Sequence, residues 1–199
     1  MRLLPLSVRP SARQSLAAVL LALAIVPAHA AQRKQTAPEV FNGRASVPSA
    51  AGRGDAYVTI RVDRYSTPKD LKAMEQALAS GGSDGFVHAL RLAPVVGRFE
   101  VGTQTFAIRW ARQQDTATGR VISFVTEKPV YFVGGGVPGA KTREGFDVAV
   151  IQLTMDSSGV GEGKMAAAAK VKAGEKSDVD IDAYEGDPIK LLSIMRKIS

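Results

Sequence analysis

From residue 56 onward the chain alternates: Tyr57, Thr59 and Arg61 interleave with Val58, Ile60 and Val62, the period-two pattern of a strand with one buried face. At Thr67-Pro68-Lys69-Asp70 the pattern changes to that of a helix start. Thr67 suits the N-cap, Pro68 the first helical position where a missing N–H costs nothing, and Asp70 an acidic first turn. Leu71, Met74 and Leu78, with Ala77 between, form an apolar stripe that Gly81-Gly82 ends. A second short helix is predicted over residues 84–92, with Phe86, Val87 and Leu90 as its apolar face and Pro94 as its stop.

Beyond Pro94 the pattern is that of strands. Phe106, Ile108 and Trp110 alternate with Thr105, Ala107 and Arg109, "QQDTATGR" supplies a polar turn, and "VISFVTE" returns to complete a hairpin. A short strand is predicted at residues 129–133, a long loop at 134–145 and an aliphatic strand at 146–155. Asp156-Ser157-Ser158-Gly159 then turns the chain into residues 160–172. The alanines at 166–169 prefer helix, but flanking glycines and the Lys170-Val171-Lys172 alternation favour a strand. Residues 178–184 and 189–198 complete the count. The expectation is an α+β fold: an antiparallel sheet of about six or seven strands, with two helices inserted after the first strand and laid on one face. An open sheet and a partly open barrel both fit this pattern.

The first thirty residues read differently. Arg2, Arg9 and Arg13 precede an apolar run over residues 15–26, and Ala28-His29-Ala30 follows with Ala28 and Ala30 as the signal-peptidase recognition pair. A membrane span needs about 20 apolar residues, so the run is short for an anchor and fits an export signal. Residues 31–54 hold only Val40 and Phe41 as neighbouring large apolar side chains, which predicts a flexible leader. The folded domain is therefore expected over residues 55–199. Cysteine is absent. That excludes disulfides, thiolate chemistry and a lipid on an N-terminal cysteine, leaving an exported protein, periplasmic or extracellular, that is not a lipoprotein.

Formal charge is +7, and the three signal arginines without acids leave +4 for the remainder. Its basic residues are dispersed, without the blocks of like charge that nucleic-acid or lipid-surface binding usually requires, which argues against nucleic acid as a partner and leaves an anionic envelope polymer as the partner that charge suggests. No transmembrane segment is expected after the signal.

Candidate motifs fall short of their chemistry. Gly134-x4-Gly139-Ala140-Lys141-Thr142 has the parts of a phosphate loop, but Ala140 displaces the lysine and a strand follows where a helix is required. Asp178-x-Asp180-x-Asp182 starts like a calcium loop, yet Ala183 replaces the required glycine and Ile189 the bidentate glutamate. His88 is the one histidine outside the signal, too few for zinc and without a nucleophile motif. Asp63, Glu100, Asp115 and Asp147 are the acids that a glycan hydrolase could pair. Trp110 between Arg109 and Arg112 suits either core packing or ligand stacking, and Arg53-Gly54-Asp55 is read as a chance tripeptide.

The stretches "STPKDLKAMEQALASGGSDGFVHAL", "GVGEGKMAAAAKVK" and "YEGDPIKLLSIMRK" resemble segments of a family of small exported proteins found in environmental bacteria such as acidobacteria. The resemblance spans roughly residues 56–198 and implies a single exported bacterial domain, with no activity, cofactor or partner attached. Taken together, these features lead to a non-catalytic binding or structural module of the cell envelope, with no catalytic, cofactor or metal residues assigned. The alternatives are a carboxylate-dependent hydrolase of envelope glycans and a carrier of a small apolar ligand in a sheet cavity.

Overall fold

A computed structural model of the chain describes residues 38–49, 52–131, 144–173, 179–184 and 188–197. Its first strand, β1 (Glu39–Ser49), lies where composition predicts a flexible leader. Composition misleads there because a half-buried strand needs a large side chain only at alternate positions. Phe41 and Ala45 are fully buried, and β1 gains the rest of its order by pairing with β2 (Gly52–Val62) along its whole length. The Arg53-Gly54-Asp55 tripeptide belongs to β2.

The remaining elements are α1 (Pro68–Leu92), β3 (Gly97–Val101), β4 (Gln104–Thr116), β5 (Gly119–Thr126), β6 (Val148–Asp156), β7 (Val160–Ala173), β8 (Val179–Tyr184) and β9 (Ile189–Lys197). The strands pair antiparallel in the order β6-β5-β4-β3-β2-β1-β9-β7, and β7 also pairs with β6. That last pairing closes an eight-stranded barrel. β8 continues along the edge of β7 beyond the point where β9 leaves it. The antiparallel sheet is as expected, whereas the described residues form nine strands rather than six or seven, because β1 and β3 each lack a long apolar run. Residues 129–131 are not a regular strand; Val130 N–H donates to Ala167 O at 2.8 Å. The glycine-rich segment from 134 to 142 lies outside the described residues.

The two expected helices are one element. Thr67 and Asp70 form a capping box, in which Thr67 N–H donates to Asp70 Oδ2 at 2.9 Å and Asp70 N–H to Thr67 Oγ1 at 3.2 Å. The predicted break at Gly81-Gly82 survives as a kink at Gly82 (φ 59°, ψ −152°), after which the helix resumes. The kink keeps Met74 and Leu78 before it, and Phe86, Val87 and Leu90 after it, against the barrel.

Two apolar layers result. Inward side chains such as Ile60, Phe99, Ile108, Phe124 and Ile151 fill the barrel. Outward side chains of β4 to β7, among them Val125, Val148 and Ala166, meet α1. Residues 148–151 of β6 are buried on both faces, alternating between the layers. The alanines of β7 are in a strand, as its flanking pattern predicts, and their small side chains let the helix approach. Trp110 does not share a face with Phe106 and Ile108. A bulge at Arg109 inserts one residue of β4 against β5, so Trp110 turns outward under the helix while Ala111 turns inward.

Three glycine substitutions test this arrangement. A Cβ on Gly161 would lie 2.1 Å from Thr154 O and 2.8 Å from Met155 Sδ, where β7 crosses β6. Gly161→Ala is expected to lower stability by about 1–3 kcal/mol in urea titrations. Gly82→Ala should cost about 1–3 kcal/mol through its backbone conformation alone. Gly81→Ala, with nothing within 4 Å, should be neutral or stabilising.

Candidate functional site

The inward positions of the barrel are apolar along most of its length and become polar at one end. Glu39 opens β1, Gln113 and Arg120 flank the β4–β5 turn, Arg196 lies near the end of β9, and Tyr65 follows β2. Strand alternation aims the four strand residues toward the same closing layer, and Tyr65 joins them from the connection. Tyr65 is held there by its neighbour: Ser66 N–H donates to Ala111 O at 2.9 Å, and Ala111 N–H donates to Ser66 Oγ at 3.1 Å.

Glu39, only 6% exposed, is the centre of this layer. Its Oε1 accepts from Arg120 Nη2 at 2.7 Å and Arg196 Nη1 at 3.3 Å. Its Oε2 accepts from Arg120 Nη1 at 3.0 Å and Tyr65 Oη at 2.5 Å. Arg120, 8% exposed, thus grips the carboxylate with both terminal nitrogens, donates to Gln113 Oε1 at 2.8 Å, and lies over the Phe41 ring at 5.6 Å. A buried carboxylate is tolerable because every lone pair faces a donor.

The electrostatics follow from these contacts. Burial alone would raise the Glu39 carboxyl, but the hydrogen bonds of Arg120 and Tyr65, the Arg120 charge and Arg196 outweigh it and hold the group below its ordinary value. Burial, and then the hydrogen bond to the Glu39 charge, push the Tyr65 hydroxyl well above its ordinary range. Neither group is tuned to exchange protons near neutrality, as an acid or base catalyst would be. Glu39 was not singled out in the sequence, since it sits in a stretch of leader-like composition. A lone acid two residues before an aromatic in an alternating run was the available signal.

The sequence-level candidates are not brought together. Glu100 pairs with Arg61 at 3.2 Å on the outer face of β2 and β3, and Asp147 meets Arg91 of the helix at 3.8 Å. Asp63 follows β2, and Asp115 lies opposite Arg120 at the end of β4. His88 is exposed on the helix. Trp110 is core, packed under α1, and Arg109 reaches Glu127 at 2.6 Å and the carbonyl of Ala93. Asp182 on β8 is exposed 3.9 Å from Lys172 Nζ, Ile181 leans on the helix layer, and Asp178 lies outside the described residues. Among the described residues no group of three His, Asp or Glu is arranged to hold a metal ion. Ala28 and Ala30 also lie outside them. No helix of the described residues is long and apolar enough to cross a membrane.

The barrel interior is occupied by its own side chains. Phe41, Ile60, Phe99, Ile108, Ile122 and Phe124 are at 0% exposure, so none of them borders a space that admits water. Eight strands enclose just enough room for side chains or one small ligand, and here the side chains take it. Comparison with protein-family models, curated proteins and solved structures finds no match to this chain.

Arg120→Met would leave the Glu39 charge buried with half of its donors, and is expected to cost about 3–5 kcal/mol of unfolding free energy. Adding Glu39→Gln should recover most of that loss. The pH dependence has two flanks. A depressed Glu39 contributes stability above its unfolded value near 4.5, lost as pH falls through the lower folded value. A raised Tyr65 contributes stability below its unfolded value near 10.0, lost progressively above it. Equilibrium unfolding measured across pH should show both declines, and Tyr65→Phe should flatten the alkaline one.

Proposed function

We propose that the chain is an exported protein whose folded domain is a non-catalytic binding or structural module of the cell envelope. Export rests on the sequence pattern of residues 1–30, with processing after Ala30, and places the product in the periplasm or outside the cell. The observation that carries the non-catalytic reading is the state of the Glu39 cluster. The best-buried carboxylate among the described residues is saturated by two guanidinium groups and a phenol, so it works as a fastener and not as a reagent. The occupied barrel interior favours contact through the outer surface over enclosure of a ligand.

A glycan hydrolase would need two acids facing each other about 5–9.5 Å apart. Glu100 and Asp147 are instead engaged by separate arginines on separate elements.

Mass determination of the secreted product should give an N-terminus at Ala31. Incubated with isolated envelope fractions and a glycoside panel, that product should be retained by an envelope component without turning over any glycan. Turnover without retention would reject the proposal.

A further inference from the structure

The outer surface of the barrel is divided between a covered and an uncovered side. Helix α1 covers outward side chains of β4 to β7, and its own charges balance, with Lys69, Lys72 and Arg91 against Asp70, Glu75 and Asp84. The outward face of β2, β1, β9 and the first half of β7 has no covering element among the described residues. Of the five exposed large apolar side chains among the described residues, three are there: Tyr57 at 77%, Met195 at 58% and Val160 at 47%. Strand register places Val160 opposite Met195, and Arg44 of β1 lies between Leu192 on one side and Tyr57 on the other.

Backbone geometry is committed to this exposure. Leu192 and Met195 are three residues apart and would face opposite sides of a regular strand. Ser193, the one described non-glycine residue with positive φ (51°), forms a bulge that sends both outward and keeps Leu191 and Ile194 inward. A strained backbone that exposes apolar side chains points to a surface function.

The charges around this patch are set against each other. Lys164 of β7 lies directly opposite Lys190 of β9, and Arg61 of β2 directly opposite Arg98 of β3. Like charges facing across strands destabilise a sheet. Only Arg61 has a carboxylate partner, Glu100; Arg98, Lys164 and Lys190 make no ion pair among the described residues. Lys197 and Arg44, whose guanidinium lies 5.4 Å from the Tyr57 ring centre, add two more cations. Asp55, Glu100 and Glu162 are the acids among the side chains described on these strands, three against those six cations.

We infer that this uncovered face docks on an anionic lipid surface. Lipid phosphates relieve the Lys164–Lys190 and Arg61–Arg98 repulsions, while Tyr57, Leu192, Met195 and Val160 enter the boundary between headgroups and acyl chains. A hydrophilic polyanion would satisfy the cations and leave the apolar patch in water, so lipid is the occupant that uses both features. The inference names the partner of the envelope-binding reading above and rests on it.

The test is sedimentation of the secreted product with vesicles of phosphatidylglycerol and phosphatidylethanolamine, beside vesicles of phosphatidylcholine alone and a soluble anionic polysaccharide. Binding is expected to the phosphatidylglycerol vesicles only. Lys164→Gln with Lys190→Gln should weaken it about 20- to 30-fold, at roughly fivefold for each cation near the surface. The same pair should leave the unfolding temperature unchanged or raised, because a repulsion is removed. Tyr57→Ser with Met195→Ser should abolish whatever binding survives high salt. Retention by the polysaccharide with none by vesicles would overturn the lipid inference while leaving the envelope reading standing. No retention by any envelope component would remove both, and a stable dimer that shields Tyr57 would overturn the inference in favour of self-association.

Discussion

A full negative charge sits inside one end of this barrel, and four strands and a connection are arranged around it. Removing a carboxylate from water is costly unless each of its lone pairs finds a donor. Glu39 finds Arg120 twice, Arg196 once and Tyr65 once, from β5, β9 and the segment after β2. These groups are distant in sequence, and their common position exists only when the barrel is closed. The cluster is therefore both a consequence of closure and a condition on it: a barrel opened between β1 and β9 would strand the charge. It also ends the apolar interior, separating Phe41 and its neighbours from solvent with a layer that is polar yet fully paired.

Around that anchored end the domain is built by side-chain parity. Alternation along each strand assigns one set of residues to the interior and the other to the outer surface. Several bulges alter the assignment, and two of them have opposite outcomes. The one at Arg109 turns Trp110 out under the helix and completes the second apolar layer. The one at Ser193 turns Leu192 and Met195 out with nothing described above them. The same device thus yields packed core on the helix side and exposed apolar surface on the other. Such a division gives the domain one side covered by the helix and another that no described element covers.

Much of the architecture was legible in the sequence where local signals were strong. The Thr67-Pro68-x-Asp70 cap, the apolar stripe of Leu71, Met74 and Leu78, the β4–β5 hairpin and the Asp156-to-Gly159 turn all appear as expected. In that turn Ser158 and Val160 N–H groups donate to Asp156 Oδ1 at 2.9 and 3.0 Å. What escaped were features set by partners far along the chain. β1 looks like a leader because its order comes from β2 and β9, Gly82 kinks a helix that its glycine pair would otherwise end, and the Trp110 switch depends on register with β5. The charge cluster was invisible for the same reason, since Glu39 and Arg196 lie 157 residues apart. No local pattern announces that a single acid near the start will meet an arginine near the end.

The claim most open to direct challenge is that β1 is a structural stave of the barrel, locked by Glu39. Native-state hydrogen exchange followed residue by residue tests it. The amides of Phe41, Asn42 and Ala45 should exchange only through global unfolding, with the same protection as those of Phe124 in β5 and Ile151 in β6. Exchange of the β1 amides at the rate of an unstructured peptide, while β5 and β6 stay protected, would contradict the closed barrel and the role of its buried charge.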